Sequence, residues 1–509
     1  VKAIRWPALV LIVALLAVAL LLGGDDGAAT DGPADTATPV PKGAVVAKPD
    51  ALSALWFCNG GTAADNGIGD HRVTIVNTTG EPRSGTITAY ASRPANGPRR
   101  APVERSWELA PRTRTEVRLA ELTGAAPFAS ATVEVTGGGV LVEHSVSGSL
   151  GTDRAACSSS ASSTWFVPVG VTGTITDNPA ARELLVFFNP FPGDAVLDVS
   201  FSTETGFRGT PDAFKGLVVP GGSVVGVDVA AAGVAVSTQV AAAVTTRTGR
   251  IVVDRLQVFN DGQNRRGLGL SSGVAGAAQA WVFPAGRLGG GRQERVVVFN
   301  PGSGPAEVDI EVRPEDTALV VEPFQLTVRP GQHSQLDLHA ESRLAGLVSS
   351  GAPYTLVVRS ADDSLIVAER LVTVGPGSTG PGTGVSSGSA VAGTRWFADV
   401  ADADLAGSAI VVMNPSAKSV SRVRVTVLAR GTATVPPKYQ EIELQPGARL
   451  TVPASELSTG AFTVALDATS GVVVERELVG TSDRAVAIGA VDSASVVPLD
   501  LGGLLSLGS

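Results

Sequence analysis

Four copies of one pattern fill this chain, and the length of the repeat limits what it can build. Each copy opens on a tryptophan followed by an apolar residue (Trp56, Trp165, Trp281, Trp396) and runs into an apolar strand that stops at an asparagine (Asn77, Asn189, Asn300, Asn414). A turn follows, and the copy ends on another apolar strand carrying an acid next to a base. The copies recur at intervals of about 110 residues, longer than one solenoid or propeller unit and close to the size of a whole small domain. The pattern predicts a tandem array of four domains and carries no reaction chemistry of its own.

The third copy is the clearest. Arg295 to Asn300 is an apolar strand stopped by Pro301-Gly302. In the strand that follows, Val308, Ile310 and Val312 should face a core, with Glu307, Asp309 and Glu311 facing water. Tyr354–Val358 and Leu365–Arg370 are expected to pair as a closing hairpin around Ala361-Asp362-Asp363. Abundant Gly (60) and Pro (32) and only 17% charged residues fit many short strands joined by tight turns. The expected fold is all-β: four tandem immunoglobulin-like antiparallel β-sandwiches over 51–158, 159–275, 276–374 and 393–509, with a Gly/Pro/Ser linker at 375–392. Trp165 and Trp281 recur at internal boundaries, while the C-terminal boundary carries Val496-Val497 instead. This predicts tryptophans packed between domains, a rigid, curved or closed body, and Arg255 or Arg370 near the following Trp.

Lys2 and Arg5 precede an unbroken apolar run from Pro7 to Leu22. As a helix it spans about 24–27 Å against a hydrocarbon core of ~30 Å. No small-x-small cleavage site follows, so 1–22 reads as an uncleaved single-pass anchor with the rest outside the cell; a cleaved signal would leave a secreted protein. Residues 23–50, acidic and Pro-rich, read as a disordered stalk. An exported chain with two cysteines favours a disulfide between Cys58 and Cys157.

The net charge of −9 and the lack of a dense basic run argue against nucleic acid. Two Gly-x-Ser-x-Gly matches, around Ser271 and Ser386, lie in small-residue connectors without a helix pattern after them. The four histidines stand in no metal spacing, and acids such as Asp65, Asp70, Asp399, Asp402 and Asp404 follow no EF-hand spacing and read as polar turns. No catalytic, cofactor or metal site is expected. The acid-base pairs Asp254/Arg255, Glu369/Arg370 and Glu475/Arg476 should bridge to a neighbour or stack on a boundary Trp, because strand neighbours face opposite ways and an unpaired buried charge is costly.

The ordered set of Trp-Phe, strand-Asn-Pro, Pro-Gly and Val-Val-x-Glu-Arg, with the Trp56-Phe57-Cys58 opening, resembles an actinobacterial membrane or secreted family of unknown function (DUF5719-like). The resemblance covers 51–509 and implies no activity or catalytic residue. The expected function is a non-enzymatic, membrane-anchored scaffold or interaction protein of a bacterial cell envelope, contacting the membrane and envelope proteins or polysaccharide. The alternative is an extracellular polysaccharide-binding module.

Overall fold

The computed structural model describes residues 43–499 apart from 65–66, 95–96, 174–180, 261–264, 317–318, 376, 379–380, 402–406 and 481–483. The predicted anchor and most of the stalk lie outside the described residues. Among those described, no helix is long and apolar enough to cross a membrane. The chain is all-β, and among the described residues its helices are short turns such as Ala345–Ser350.

Each repeat distributes its strands over two groups that enclose one core. In the third, Ala280–Arg287, Pro353–Ser360, Ala306–Pro314 and Phe324–Val328 form one sheet; His333–Asp337, Arg292–Phe299, Val367–Val374 and Gly382–Ser386 form the other. Trp281, Val296, Val298, Val308, Ile310 and Leu356 fill the space between them. The second repeat repeats this order, with Thr164–Val167, Val240–Thr248 and Ala195–Thr203 facing Ser223–Asp228, Arg182–Asn189, Val252–Asn260 and Arg266–Ser272. In the fourth, one 18-residue strand, Phe462–Val479, serves both groups.

Two expectations fail here. Pro353–Ser360 and Val367–Val374 are not a hairpin: the chain crosses from one sheet to the other through Asp363, at φ 62°. Every residue of Val367–Val374 is buried, so it needs covering on both faces, which an edge hairpin does not supply. Second, Asp309 and Glu311 are buried rather than wet. Arg359 bonds both (2.6 and 2.7 Å) and Arg313 bonds Glu311, and these part-buried arginines cover the two carboxylates.

The described residues, within 43–499, belong to one contact unit. Its axis is built from the strand that follows the acid-base strand in each repeat: Gly151–Ala156, Arg266–Ser272, Gly382–Ser386 and Arg484–Ile488. Each touches the equivalent strand of the repeat before and after, and the fourth touches the first. The segment expected as a linker at 375–392 thus contains the third axial strand, paired with Val367–Val374. The end of the expected stalk is also folded. Val45–Val46 pairs in parallel with Val491-Asp492, fastening the first repeat to the last.

The tryptophans do not bridge repeats. Trp165, Trp281 and Trp396 each fill their own core and donate the indole N–H to a carbonyl of their own repeat (Ile251, Ile366 and Val472, each 2.9 Å). The residue after each Trp crosses instead. Phe57 packs in the second core, Phe166 in the third, Val282 against Met413 and Val473 of the fourth, and Phe397 in the first. The reason is strand alternation: one side chain turns inward, and its neighbour turns onto the outer face that the next repeat covers.

Candidate functional site

The sequence placed its polar signal in the acid-base pairs, and the fold brings all of them to the axis. Arg255, Arg370 and Arg476 are almost completely buried. Arg255 Nη1 bonds Glu369 of the third repeat (3.1 Å), Arg370 Nη2 bonds Glu475 of the fourth (2.9 Å), and Arg476 Nη1 bonds Glu143 of the first (2.6 Å). His144 of the first repeat faces Asp254 of the second at 3.8 Å. Every repeat therefore sends its base forward and its acid backward, and the circle closes. Alternation again supplies the rule, since adjacent strand residues reach opposite neighbours. Neither Arg255 nor Arg370 stacks on a boundary Trp; the ring near Arg370 is Phe283, 5.6 Å from its guanidinium carbon.

Backbone groups complete each joint. Glu369 accepts the Val169 N–H and Glu475 the Ala285 N–H (2.8 Å each), while Glu143 accepts that of Asp399 (3.2 Å). Arg255 and Arg476 also donate to the carbonyls of Val169 and Asp399. Ser271 accepts from Arg255 (2.5 Å), and Ser386 donates to Glu475 (2.8 Å). The two Gly-x-Ser-x-Gly serines thus close their axial strands inside the ion-pair network, rather than lying in connectors.

A second set of polar residues sits six positions before each repeat asparagine: His71, Glu183, Glu294 and Ser408. The sequence reading missed it, although the fixed offset from Asn was visible. Glu294 bonds Arg370 (3.2 Å) and the Tyr354 hydroxyl (2.7 Å). Burial works against its charge, yet Arg370 and Arg292 hold the carboxyl below the usual range. Glu183 has no hydrogen-bond partner on either oxygen among the described residues, and burial pushes its carboxyl up to about 8.

The joint between the first and second repeats is chemically different. His71 Nδ1 lies 2.7 Å from the Ala129 carbonyl, so it carries the proton, and its Nε2 takes the Nδ1–H of His144 at 3.0 Å. The remaining His144 nitrogen then faces Asp254, whose carboxyl burial pushes up to about 8. Burial likewise drives His71 down to about 4 and His144 well below its ordinary value. Three joints are direct Arg–Glu ion pairs; at this one a histidine ring stands 3.8 Å from a carboxyl without a hydrogen bond, and burial works against charge on all three groups.

The remaining sequence-marked residues are structural. Asn189, Asn300 and Asn414 each clamp two turns. The Asn300 amide donates to the Gly304 and Val328 carbonyls and accepts the Gly302 N–H, all at 2.8 Å. Asn77 does the same with Glu81, Leu109 and Thr79. Cys58 and Cys157 are joined by a disulfide across the first repeat. Asp399 is fully buried against Arg114 (3.0 Å) and Arg154 (3.3 Å), and Asp70 is bound by Arg118. Asp65, Asp402 and Asp404 lie outside the described residues. No cluster of three or more His, Cys, Asp or Glu suited to a metal occurs among those described.

No curated protein matches the chain. A crystal structure of Thermotoga maritima 1070 is similar over 22% of this chain and 92% of its own, at 14% identity and a TM-score of 0.19, too low to carry an argument. The model of a family of unknown function, DUF5719, matches residues 47–253 and 237–499, and the chain belongs to that family.

Proposed function

We propose that this chain is a non-enzymatic, membrane-anchored scaffold or interaction protein of a bacterial cell envelope, its four repeats read as immunoglobulin-like sandwiches. The observation that supports this is the use to which its reactive groups are put. The Arg, Glu, His and Ser side chains with chemical potential are buried at the axis and bond one another across repeats. A charge committed to a buried partner holds geometry and is not free to meet a substrate. What remains outside is a set of loops carrying exposed apolar residues, Leu52, Val320 and Leu365 among them.

The test is photo-cross-linking on intact cells, with a photoreactive residue at 52, 320 or 365 of the full chain. A discrete adduct with an envelope protein supports the scaffold reading. Absence of adducts at all three positions, or turnover of envelope glycans or esters by the purified chain, overturns it.

A further inference from the structure

We propose that the groove at the seam of the first and fourth repeats binds an acidic sugar chain, with Arg112 holding its carboxylate or phosphate. The groove measures about 410 Å³, and its charged lining is Glu81, Arg83 and Arg112 from the first repeat and Arg395, Asp467 and Asp492 from the fourth. It goes beyond the scaffold reading, which stands without it.

Arg112 occupies a position that three repeats give to glycine. The residue after each repeat asparagine's cross-strand turn is Gly222 (φ 59°), Gly331 (63°) and Gly447 (71°); the first repeat places Arg112 there at φ 54°. Left-handed backbone is strained for an arginine and free for a glycine, so the side chain is retained against a conformational cost. Its guanidinium passes over Gly80, where an added Cβ would stand 3.2 Å from Nη2. No hydrogen bond or ion pair engages that guanidinium among the described residues.

The other seams explain why it is free. The turn carbonyl is tied to the preceding repeat by Arg99 at Gly222 (2.7 Å) and by Arg208 at Pro330 (3.0 Å). In the first repeat a backbone N–H does this work, from Gly431 to the Arg112 carbonyl (3.2 Å). The arginine side chain is left facing the groove. Its neighbour Arg83 is held by the carbonyls of Gly138, Pro82 and Pro49, which position it without neutralising it. Arg395 is only 3.6 Å from Asp467, and Asp492 spends an oxygen on the Ala494 N–H. Among the described residues Arg112 and Arg83 therefore enter no direct ion pair, in a cleft that also carries the carboxylates of Glu81, Asp467 and Asp492, while Thr79 and Thr426 suit sugar hydroxyls. The chain as a whole is acidic and the cleft is charge-balanced, so the hold on an anion has to come from the unengaged guanidinium of Arg112.

The test is calorimetric titration of the full chain with oligogalacturonate (the carboxylate arm), a glycerol-phosphate oligomer (the phosphate arm) and a neutral dextran oligomer. At least one acidic oligomer should bind, more weakly in high salt, and dextran should not. Arg112→Gly should weaken that binding about tenfold or more while the melting temperature holds or rises, since glycine relaxes the turn. Binding by neither acidic oligomer, or equal binding to Arg112→Gly, overturns the proposal; the arm that responds identifies the anion.

Discussion

Glu183 is a carboxyl that folding has closed off from both water and hydrogen bonds, and it makes stability depend on pH in a known direction. Its space exists because residue 170 is glycine: a Cβ there would stand 2.3 Å from a carboxyl oxygen. The native state keeps a proton up to about pH 8, whereas an unfolded glutamate gives it up near 4.5. Its contribution to stability is therefore fully present below about pH 4.5 and lost as the pH rises through 8. Asp153 and Asp254, also pushed to about 8 by burial, act with the same sign. His71 and His333, driven to about 4 by burial, act oppositely: their contribution is full above about 6.5 and lost as the pH falls through 4. Between pH 6.5 and 8 only the carboxyls change, so chemical denaturation should show falling stability across that window. Glu183→Gln should make it shallower, leaving the share of Asp153 and Asp254, and should gain about 2–4 kcal/mol at pH 8 relative to pH 5; an unchanged slope would show that Glu183 is ionised in the native state. The asparagines were legible at this scale, because Asn followed by Pro recurs at one place in three copies. Glu183 and His71 were not: a single polar residue inside an apolar strand reads the same whether it faces water or an axis.

At the scale of the strand, the Trp-Phe opening divides its work between two domains. Trp281→Ala should cost about 3–5 kcal/mol and act within the third repeat, whose core the indole fills. Phe397→Ala should cost a comparable amount at a different place, since that ring joins the core of the first repeat. Hydrogen exchange separates the two outcomes. Phe397→Ala should speed exchange of the Val491 and Ser493 amides, which donate to Ala44 and Val46 across the closure, and Trp281→Ala should leave them protected. The order of strands and the all-β class were readable from period-2 alternation and Pro-Gly turns. The partner of each strand was not. Val367–Val374 follows Pro353–Ser360 closely in sequence yet pairs in the other sheet, and nothing in its sequence marked it as covered on both faces, since it carries Glu369, Arg370 and Thr373 among its apolar residues.

At the scale of the whole unit, the repeats form head-to-tail contacts that close after four, and closure determines what the covalent connections are needed for. Each joint uses the same surfaces, the base of one repeat with the acid of the next, so the contact is heterologous and ends only because the fourth meets the first. The sequence carried the four-fold period but not the circle, because the fourth-to-first joint links Glu143 with Arg476, far apart in the chain and alike in form to any other pair. A joint held by buried ion pairs depends on both members: losing Arg476 alone strands Glu143 and should cost about 3–5 kcal/mol. The connection between the first and second repeats, by contrast, should be dispensable once the ends are joined. Val45–Val46 already lies beside Val491-Asp492, so a short Gly/Ser linker can join residue 499 to residue 43. A circular permutant opened at Ser160-Ala161, on an exposed connector, retains the Cys58–Cys157 disulfide and all four axial joints. It should fold and give the scattering profile of the parent, with a melting temperature within about 5 °C. A permutant that scatters as an extended chain, with its first repeat detached, would show that continuity between the first two repeats holds the circle together, and that the His71–His144–Asp254 joint cannot do so alone.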